Sequence, residues 1–443
     1  MTIINRIKQY PDSFLILLAG IIVLWIHLNI NGNKDYSKGL IESDARGYYA
    51  YLPAVFIYHD LNFGFFDTIE KVKYYNPNLY YEFRAIHHGK TINKYYAGTA
   101  VCICPFFLAG HWVTLASDLP RDGYSKYYVK AAALAVVFYL IVSLFLINNI
   151  LKLLNITTKN RLLALMVMVF GTNLFYYNIA ETCLSHVYSL TFFSLFIYCA
   201  LNFFRNSSLK WLLLAAFALG MITLIRPVNL LILASLPFLA GDKDSLKRAG
   251  SWLYQHAIFA GISLLIFMLI ISLQLIIYKI QTGCWVLYSY KGEGFNFSDP
   301  HFIAILFSYK KGLFLYTPVY LISLTGLYFI YKQNPFRFWS WALFFILVVY
   351  ILSSWHNWYY GGSFSGRVFI EFIPFFIIPL AFALQFLGNT KLKKIFTGLL
   401  LLLVIVCQLQ TYQYRRGQIH WSEQTREKYW ENFLGHRKLE KLF

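Results

Sequence analysis

The chain has 443 residues, of which 58% are hydrophobic, 20% aromatic and only 13% charged. So few charges beside so much apolar surface exclude an ordinary soluble domain, and several runs approach the ~20 residues that span a bilayer, so the sequence reads as an all-α polytopic membrane protein. The net charge of +19 then points to membrane-flanking loops and anionic headgroups, not to nucleic acid.

The first apolar run covers residues 13–30. Arg6 and Lys8 precede it, and it lacks a small-residue cleavage site, so it reads as an uncleaved span whose start lies inside. The loop from Asn31 then lies outside. It is rich in Tyr, Asn and charge through Lys94, with no convincing strand pattern, and its length marks a subdomain or a site. Residues 97–116, AGTAVCICPFFLAGHWVTLA, carry Pro105, two glycines and His111. They read as a broken helix lying on the outer membrane surface, so that 31–126 forms one long outer loop with surface helices.

Further spans are expected at 127–151, 162–179, 186–204, 209–225, 228–240, 253–279, 313–331, 338–354, 367–387 and 395–412. That makes about eleven transmembrane helices. With this topology Lys152, Lys159, Arg161, Arg205, Lys210, Lys243, Lys247, Arg248, Lys332, Arg337, Lys391, Lys393 and Lys394 all face the inner side, as inner loops should. The polar loops around Glu181, Arg226, 280–311 and 355–367 then share a side with Asp44. If 97–116 crossed, those loops would sit opposite Asp44. Residues 1–412 read as one transmembrane domain, and 413–443, with Trp421 and Trp430, as a polar C-terminal tail forming a surface helix.

The six cysteines show no metal-like spacing. Cys102 and Cys104 point to different sides of a helix, and a disulfide between Cys183 and Cys284 is left open. The adjacent His87 and His88 point apart in most backbones, and no metal site is assigned.

The outer face collects the chemistry. Asp44 follows the first span, with Tyr48 one helical turn on. Arg84 and then Lys94, in NKYYAG, come later in that loop. The segment FGTNLFYYNIAETCLSHVYS sets Glu181 and His186 at the next outer boundary. In LIRPVN, Arg226 ends a helix just before Pro227, which breaks the chain. The 280–311 loop adds Lys291, Glu293, His301, Lys310 and Lys311, with Glu293 read as a solvated acid. SSWHNWYYGGSFSGRVFIEFIP supplies His356, Trp358, Tyr359, Arg367 and Glu371 around a glycine break. Cations at headgroup depth suit a lipid phosphate, Arg as a fork and Lys as a point charge. A carboxylate near such a phosphate suits a general base acting on an acceptor hydroxyl or amine.

In the order of these features the chain resembles the membrane glycosyltransferases of the GT-C fold. That group includes protein O-mannosyltransferases, lipid A aminoarabinose transferases and sugar transferases of lipopolysaccharide cores. The resemblance rests on Asp44 with Tyr48, NKYYAG, the apolar helix with Pro105, LFYYNIAE…SHVYS, LIRPVN, SYKKGLFLYTPV and WYYGGSFSGRVFIE. It implies a GT-C-like fold in a bacterial inner or plasma membrane. It also implies a polyprenyl-phosphate-linked sugar donor and an extracytoplasmic glycan, lipid or protein acceptor. Asp44 would be the base, with inversion at the anomeric carbon. Lys94 and Arg226 would hold the donor phosphate, with Arg367 a further phosphate ligand. Glu181 and His186 would position acceptor or sugar, and Tyr48, Arg84 and His356 would line the substrate site. Ser43 stands where many relatives have a second acid, so no cofactor is assigned and a divalent cation is left open. Two other readings stay open on the residues: a transporter or flippase of lipid-linked saccharide, and a non-catalytic envelope assembly protein. A transporter would place ionisable groups at mid-membrane rather than at one surface.

Overall fold

The computed structural model describes residues 11–31, 41–74, 82–290 and 292–433. Arg6, Lys8, Lys291, the start of the first outer loop and the last residues of the tail lie outside that set. Seven helices among the described residues are long and apolar enough to cross a membrane, namely Pro11–Ile30, Gly98–Leu115, Lys126–Leu153, Ser185–Arg205, Ala257–Thr282, Pro335–Ser353 and Lys391–Arg415. The other expected spans are shorter or interrupted. Residues 162–179 divide into Thr158–Gly171 and Leu174–Ile179, and 313–331 into Leu313–Tyr316, Pro318–Ser323 and Gly326–Gln333. Proline supplies several of the breaks, because Pro227, Pro318 and Pro374 each stand at the start of a helical turn where no N–H is needed. Broken helices survive at membrane depth only where protein surrounds them. The Ile373–Phe386 helix meets that condition, being buried from Ile373 to Leu384.

The chain divides into two compact units. The first comprises residues up to Leu146, Tyr177–Leu236 and Lys243–Glu293. Its helices are α1 (Pro11–Asn31), α2 (Asp44–Phe56), α3 (Gly98–Leu115), α4 (Lys126–Leu153, as far as Leu146), α5 (Ser185–Arg205), α6 (Leu209–Ile225), α7 (Lys243–Gln255) and α8 (Ala257–Thr282). Close backbone approach sets several contacts. Gly20 of α1 faces Ile141 of α4, and Gly220 of α6 faces Ile270 of α8, where an added Cβ would lie 2.5 and 2.8 Å from those side chains. Polar pairs add to the apolar packing: the Ser143 and Thr191 hydroxyls lie 2.7 Å apart between α4 and α5, both buried.

The segment expected to be a broken surface helix is one unbroken helix, α3, with Pro105 inside it. Proline removes one backbone donor, but the helix carries on past it, and the Tyr139 hydroxyl nearby donates to the Cys102 carbonyl at 3.3 Å. α3 runs antiparallel to the first half of α4. Cys102 lies beside Tyr139, Phe107 stacks near Tyr128 with ring centroids 5.0 Å apart, and Gly110 meets Tyr127 and Ala131. At ~1.5 Å per residue the 28 residues of α4 extend ~42 Å, so α3 accompanies only part of that length.

The outer loop also contains a two-stranded antiparallel hairpin where no strand was expected. β1 (Arg84–His87) pairs with β2 (Lys90–Asn93), Arg84 opposite Asn93. Its two-residue turn uses His88 at φ 48° and Gly89 at φ 75°, the left-handed pair that a tight hairpin requires. Strands of four residues are too short to show a period in the sequence. The hairpin is held by Ile92, which is buried with Tyr278 and Leu287. Cys183 and Cys284 are both free thiols, one buried and one exposed, so the disulfide left open by the sequence is not formed.

The second unit comprises Ile147–Tyr176, Pro237–Asp242 and Gly294–Phe443. Gly326 sits against the Pro379 backbone, where an added Cβ could not fit. The expected tail boundary at 412 falls inside the helix Lys391–Arg415. Beyond it, Arg426–Phe433 folds back: Gln410 donates to the Tyr429 hydroxyl at 2.7 Å, and Tyr429 packs its ring on Tyr309 and Tyr316. The tail is thus partly integrated and not merely a surface helix.

A Cβ at Gly98 would lie 2.5 Å from Ile225 N and from Leu224 C, both backbone atoms, whereas Gly250 has nothing within 4 Å. Gly98→Ala should therefore lower stability by about 1–3 kcal/mol, read as a lower thermal midpoint in detergent. Gly250→Ala should hold or raise the midpoint, and equal midpoints for both variants would contradict the packing at Gly98.

Candidate active site

Asp44 is the first residue of α2, where the helix dipole favours a negative charge. Its Oδ1 accepts a hydrogen bond from the Tyr95 hydroxyl at 2.8 Å. The preceding residue, Ser43, adopts φ 55°, a left-handed conformation that turns the chain sharply into the helix. Arg46, buried on the same helix, pairs with Glu42 at 2.8 Å.

The six residues Asn93–Gly98, the NKYYAG segment, join this acid to the rest of the unit. Asn93 donates to the Gly47 carbonyl at 2.7 Å and accepts the Tyr95 N–H at 3.0 Å. The Tyr95 carbonyl accepts the Tyr51 hydroxyl at 2.7 Å, and burial raises the Tyr51 phenol above its ordinary pKa, which keeps it a neutral donor. Tyr96 sets its ring edge-on to Tyr278 at 6.0 Å. The Ala97 N–H donates to the buried Gln274 side chain at 2.9 Å. Gly98 then lies against the end of α6.

Arg226 follows directly on that helix end. Its backbone turns extended, at φ −151° and ψ 108°, because Pro227 cannot continue the α-helix. Arg226 Nη1 stands 3.5 Å from His186 Nε2, and three residues on Asn229 donates to the Ser189 hydroxyl at 2.8 Å. LIRPVN thus reaches the first turns of α5 at two points, and His186 is buried with its ring edge-on to Tyr177. Glu181 is half-buried and leads into a buried turn, Thr182 to Leu184, before α5. Tyr188 fixes that turn by donating to the Thr182 carbonyl at 2.8 Å, and His27 of α1 meets the Asn178 carbonyl at 3.3 Å.

Lys94 stands 3.4 Å from Glu293, so Glu293 is not the solvated loop acid expected from the sequence but the partner of a candidate cation. Ser289 of the same loop donates to the Lys94 carbonyl at 2.7 Å. Tyr48 packs its ring on Tyr95, with centroids 4.5 Å apart.

Arg84 has a different environment. Its guanidinium meets Asp67 and Glu82 and lies 4.5 Å from the Phe66 ring centroid. Burial works against its charge, but the hydrogen bonds and charges of Glu82 and Asp67 outweigh it and hold the group above its ordinary pKa. These contacts make Arg84 a brace between the hairpin and residues 66–67.

His356 and Arg367 belong to the second unit. His356 is exposed, its N–H bonded to the Gly294 carbonyl at 2.9 Å. Arg367 is buried at the start of a short 3-10 turn, and Glu371 is buried just after it. Lys310 lies 3.4 Å from the Tyr359 ring centroid, and the buried Lys311 donates to the Ser363 carbonyl. Among the described residues no group of three or more His, Cys, Asp or Glu converges as a metal site requires.

No family model and no curated protein matches the sequence. Among solved structures the chain is similar to the archaeal oligosaccharyltransferase AglB from Archaeoglobus fulgidus, in complex with an inhibitory peptide and a dolichol-phosphate. The TM-score is 0.51 at 10% identity, covering 95% of this chain and 57% of that one. The Archaeoglobus fulgidus oligosaccharyltransferase in the apo form gives a TM-score of 0.49 at 11% identity, covering 98% and 58%. The chain thus spans little more than half the length of these proteins. The first likeness, with the seven long apolar helices, makes the chain an integral membrane protein of GT-C-like fold.

Arg84→Ala should remove the brace and destabilise the hairpin by about 1 kcal/mol. Hydrogen exchange at residues 84–93 should quicken several-fold, while unchanged exchange would mean that the ion pairs do not hold it.

Proposed function

We propose that the chain transfers a sugar from a polyprenyl-phosphate-linked donor to an extracytoplasmic acceptor, with Asp44 as general base and inversion at the anomeric carbon. One observation carries the reading: the segment 93–98 bonds to Asp44 at one end, carries Lys94, and packs against the helix end that presents Arg226. A base bonded to the segment, a cation carried on it and a second cation just past the helix end it packs against are the groups that transfer from a lipid phosphate needs.

Asp44 takes the proton of the acceptor hydroxyl or amine as its lone pair attacks the anomeric carbon. The bond from that carbon to the phosphate oxygen breaks on the opposite face. The polyprenyl phosphate leaves with an additional negative charge. Lys94 and Arg226 stabilise that growing charge, which gives them their main effect in the transition state. Glu293 holds the Lys94 ammonium in the meantime, and a phosphate would take its place. Glu181 and His186, next to Arg226, position sugar or acceptor. The fold likeness to a protein solved with a dolichol-phosphate supports a lipid-linked donor.

Asp44→Asn should lower turnover by ~10²–10⁴-fold while leaving the binding of a labelled polyprenyl-phosphate sugar within about two-fold. Lys94→Ala and Arg226→Ala should each weaken that binding by at least ~10-fold. Turnover retained in Asp44→Asn would reject the base assignment. For sidedness, the exposed Cys284 should react with a membrane-impermeant maleimide in intact cells, and labelling only after permeabilisation would place the loop on the wrong side.

A further inference from the structure

We propose that Tyr95 is a positioning residue that sets the basicity of Asp44 by donating its phenol to the carboxylate. The consequence for turnover rests on reading Asp44 as the base. The hydrogen bond itself does not.

The contact is built from several independent restraints. Tyr95 is 4% exposed, and its hydroxyl lies 2.8 Å from Asp44 Oδ1. Its ring fills the space that a side chain at position 47 would occupy: a Cβ added to Gly47 would run into Tyr95 Cδ2. Tyr48 packs on the ring from the Asp44 helix, and Tyr290 meets it edge-on at 5.9 Å. The backbone on both sides is fixed by Asn93 and Tyr51. Gly47, Tyr48 and Tyr51 all lie on the helix that begins with Asp44. The helix carrying the acid therefore also locks the donor in place, and the phenol is pre-organised toward the carboxylate.

A donor to a carboxylate favours its charged form and lowers its pKa. Removing that donor raises the pKa, so the carboxylate takes up a proton at a higher pH. The charge-assisted bond is of the strength that gives about one to two pH units. The other charged or titratable groups on the elements packed here include Glu42 with Arg46, Tyr48, Tyr49, Tyr51, Lys94 with Glu293, Tyr96 with Tyr278, Tyr290, and Arg226 with His186. All are retained in Tyr95→Phe, so their fields are common to both proteins.

The test is the titration of Asp44, followed by infrared spectroscopy of the protonated carboxyl band with Asp44→Asn as the subtraction standard. Tyr95→Phe keeps the ring and loses the hydroxyl. Its Asp44 midpoint should rise by about one to two pH units, and the acid limb of the kcat/KM profile should rise with it. Installing 3,5-difluorotyrosine at position 95, a stronger donor of the same shape, should lower the midpoint and keeps the test decisive if Tyr95→Phe folds poorly. Unmoved midpoints overturn the proposal, as does a rate lost equally at every pH with the midpoint fixed, which is the mark of ring packing alone. A shifted midpoint in a protein that turns over no polyprenyl-phosphate sugar would sink the transferase reading but leave the Tyr95–Asp44 link. Normal turnover with an unmoved midpoint would do the reverse.

Discussion

Six residues, Asn93 to Gly98, tie the Asp44 helix to α8 and to the end of α6. Polar groups at a membrane boundary are expensive unless each finds a partner. Here successive residues of one segment reach different elements: Asn93 the backbone of α2, Tyr95 the Asp44 carboxylate, Ala97 a glutamine of α8, and Gly98 the end of α6. A short chain bonded at so many points has little freedom left. The positions of Asp44 and of the helix end before Arg226 are therefore coupled through it.

That coupling also changes the meaning of the helix after it. From the sequence, the side on which Asp44 meets the other loops depends on whether residues 97–116 cross the membrane. In the structure both the acid and the Arg226 helix end are tied at or before the first residue of α3, at its N-terminal end. α3 then runs beside the first half of α4, away from Tyr139 toward Tyr127. Both ties, Tyr95 to Asp44 and Gly98 to the backbone of Leu224 and Ile225, are made before α3 leaves its first residue.

Local signals were the legible ones. Continuous apolar runs mark α1, α4, α5 and α8, Pro227 marks the break at Arg226, and Asp44 stands out as the acid four residues before the Tyr48–Tyr49 pair. What remained hidden depends on distant pairing or on short elements. Lys94 and Glu293 are separated by 199 positions, and nothing beside either residue announces the other. The hairpin is too short to alternate visibly. Tyr95 and Gly98 sat inside a segment singled out for its lysine, yet the tyrosine reaches the acid and the glycine permits the close approach. The interrupted helices of the second unit read as whole spans because hydropathy averages across a break, at Pro318 as at Thr172 and Asn173, while backbone hydrogen bonding does not.

The most direct measurement is an experimental density map of the protein with a bound polyprenyl phosphate. The account predicts the phosphate at about 3 Å from the Lys94 ammonium and the Arg226 guanidinium, with Glu293 displaced and the Asp44 carboxylate open to the acceptor side. A phosphate bound elsewhere on the chain, with Lys94 still paired to Glu293, would contradict it.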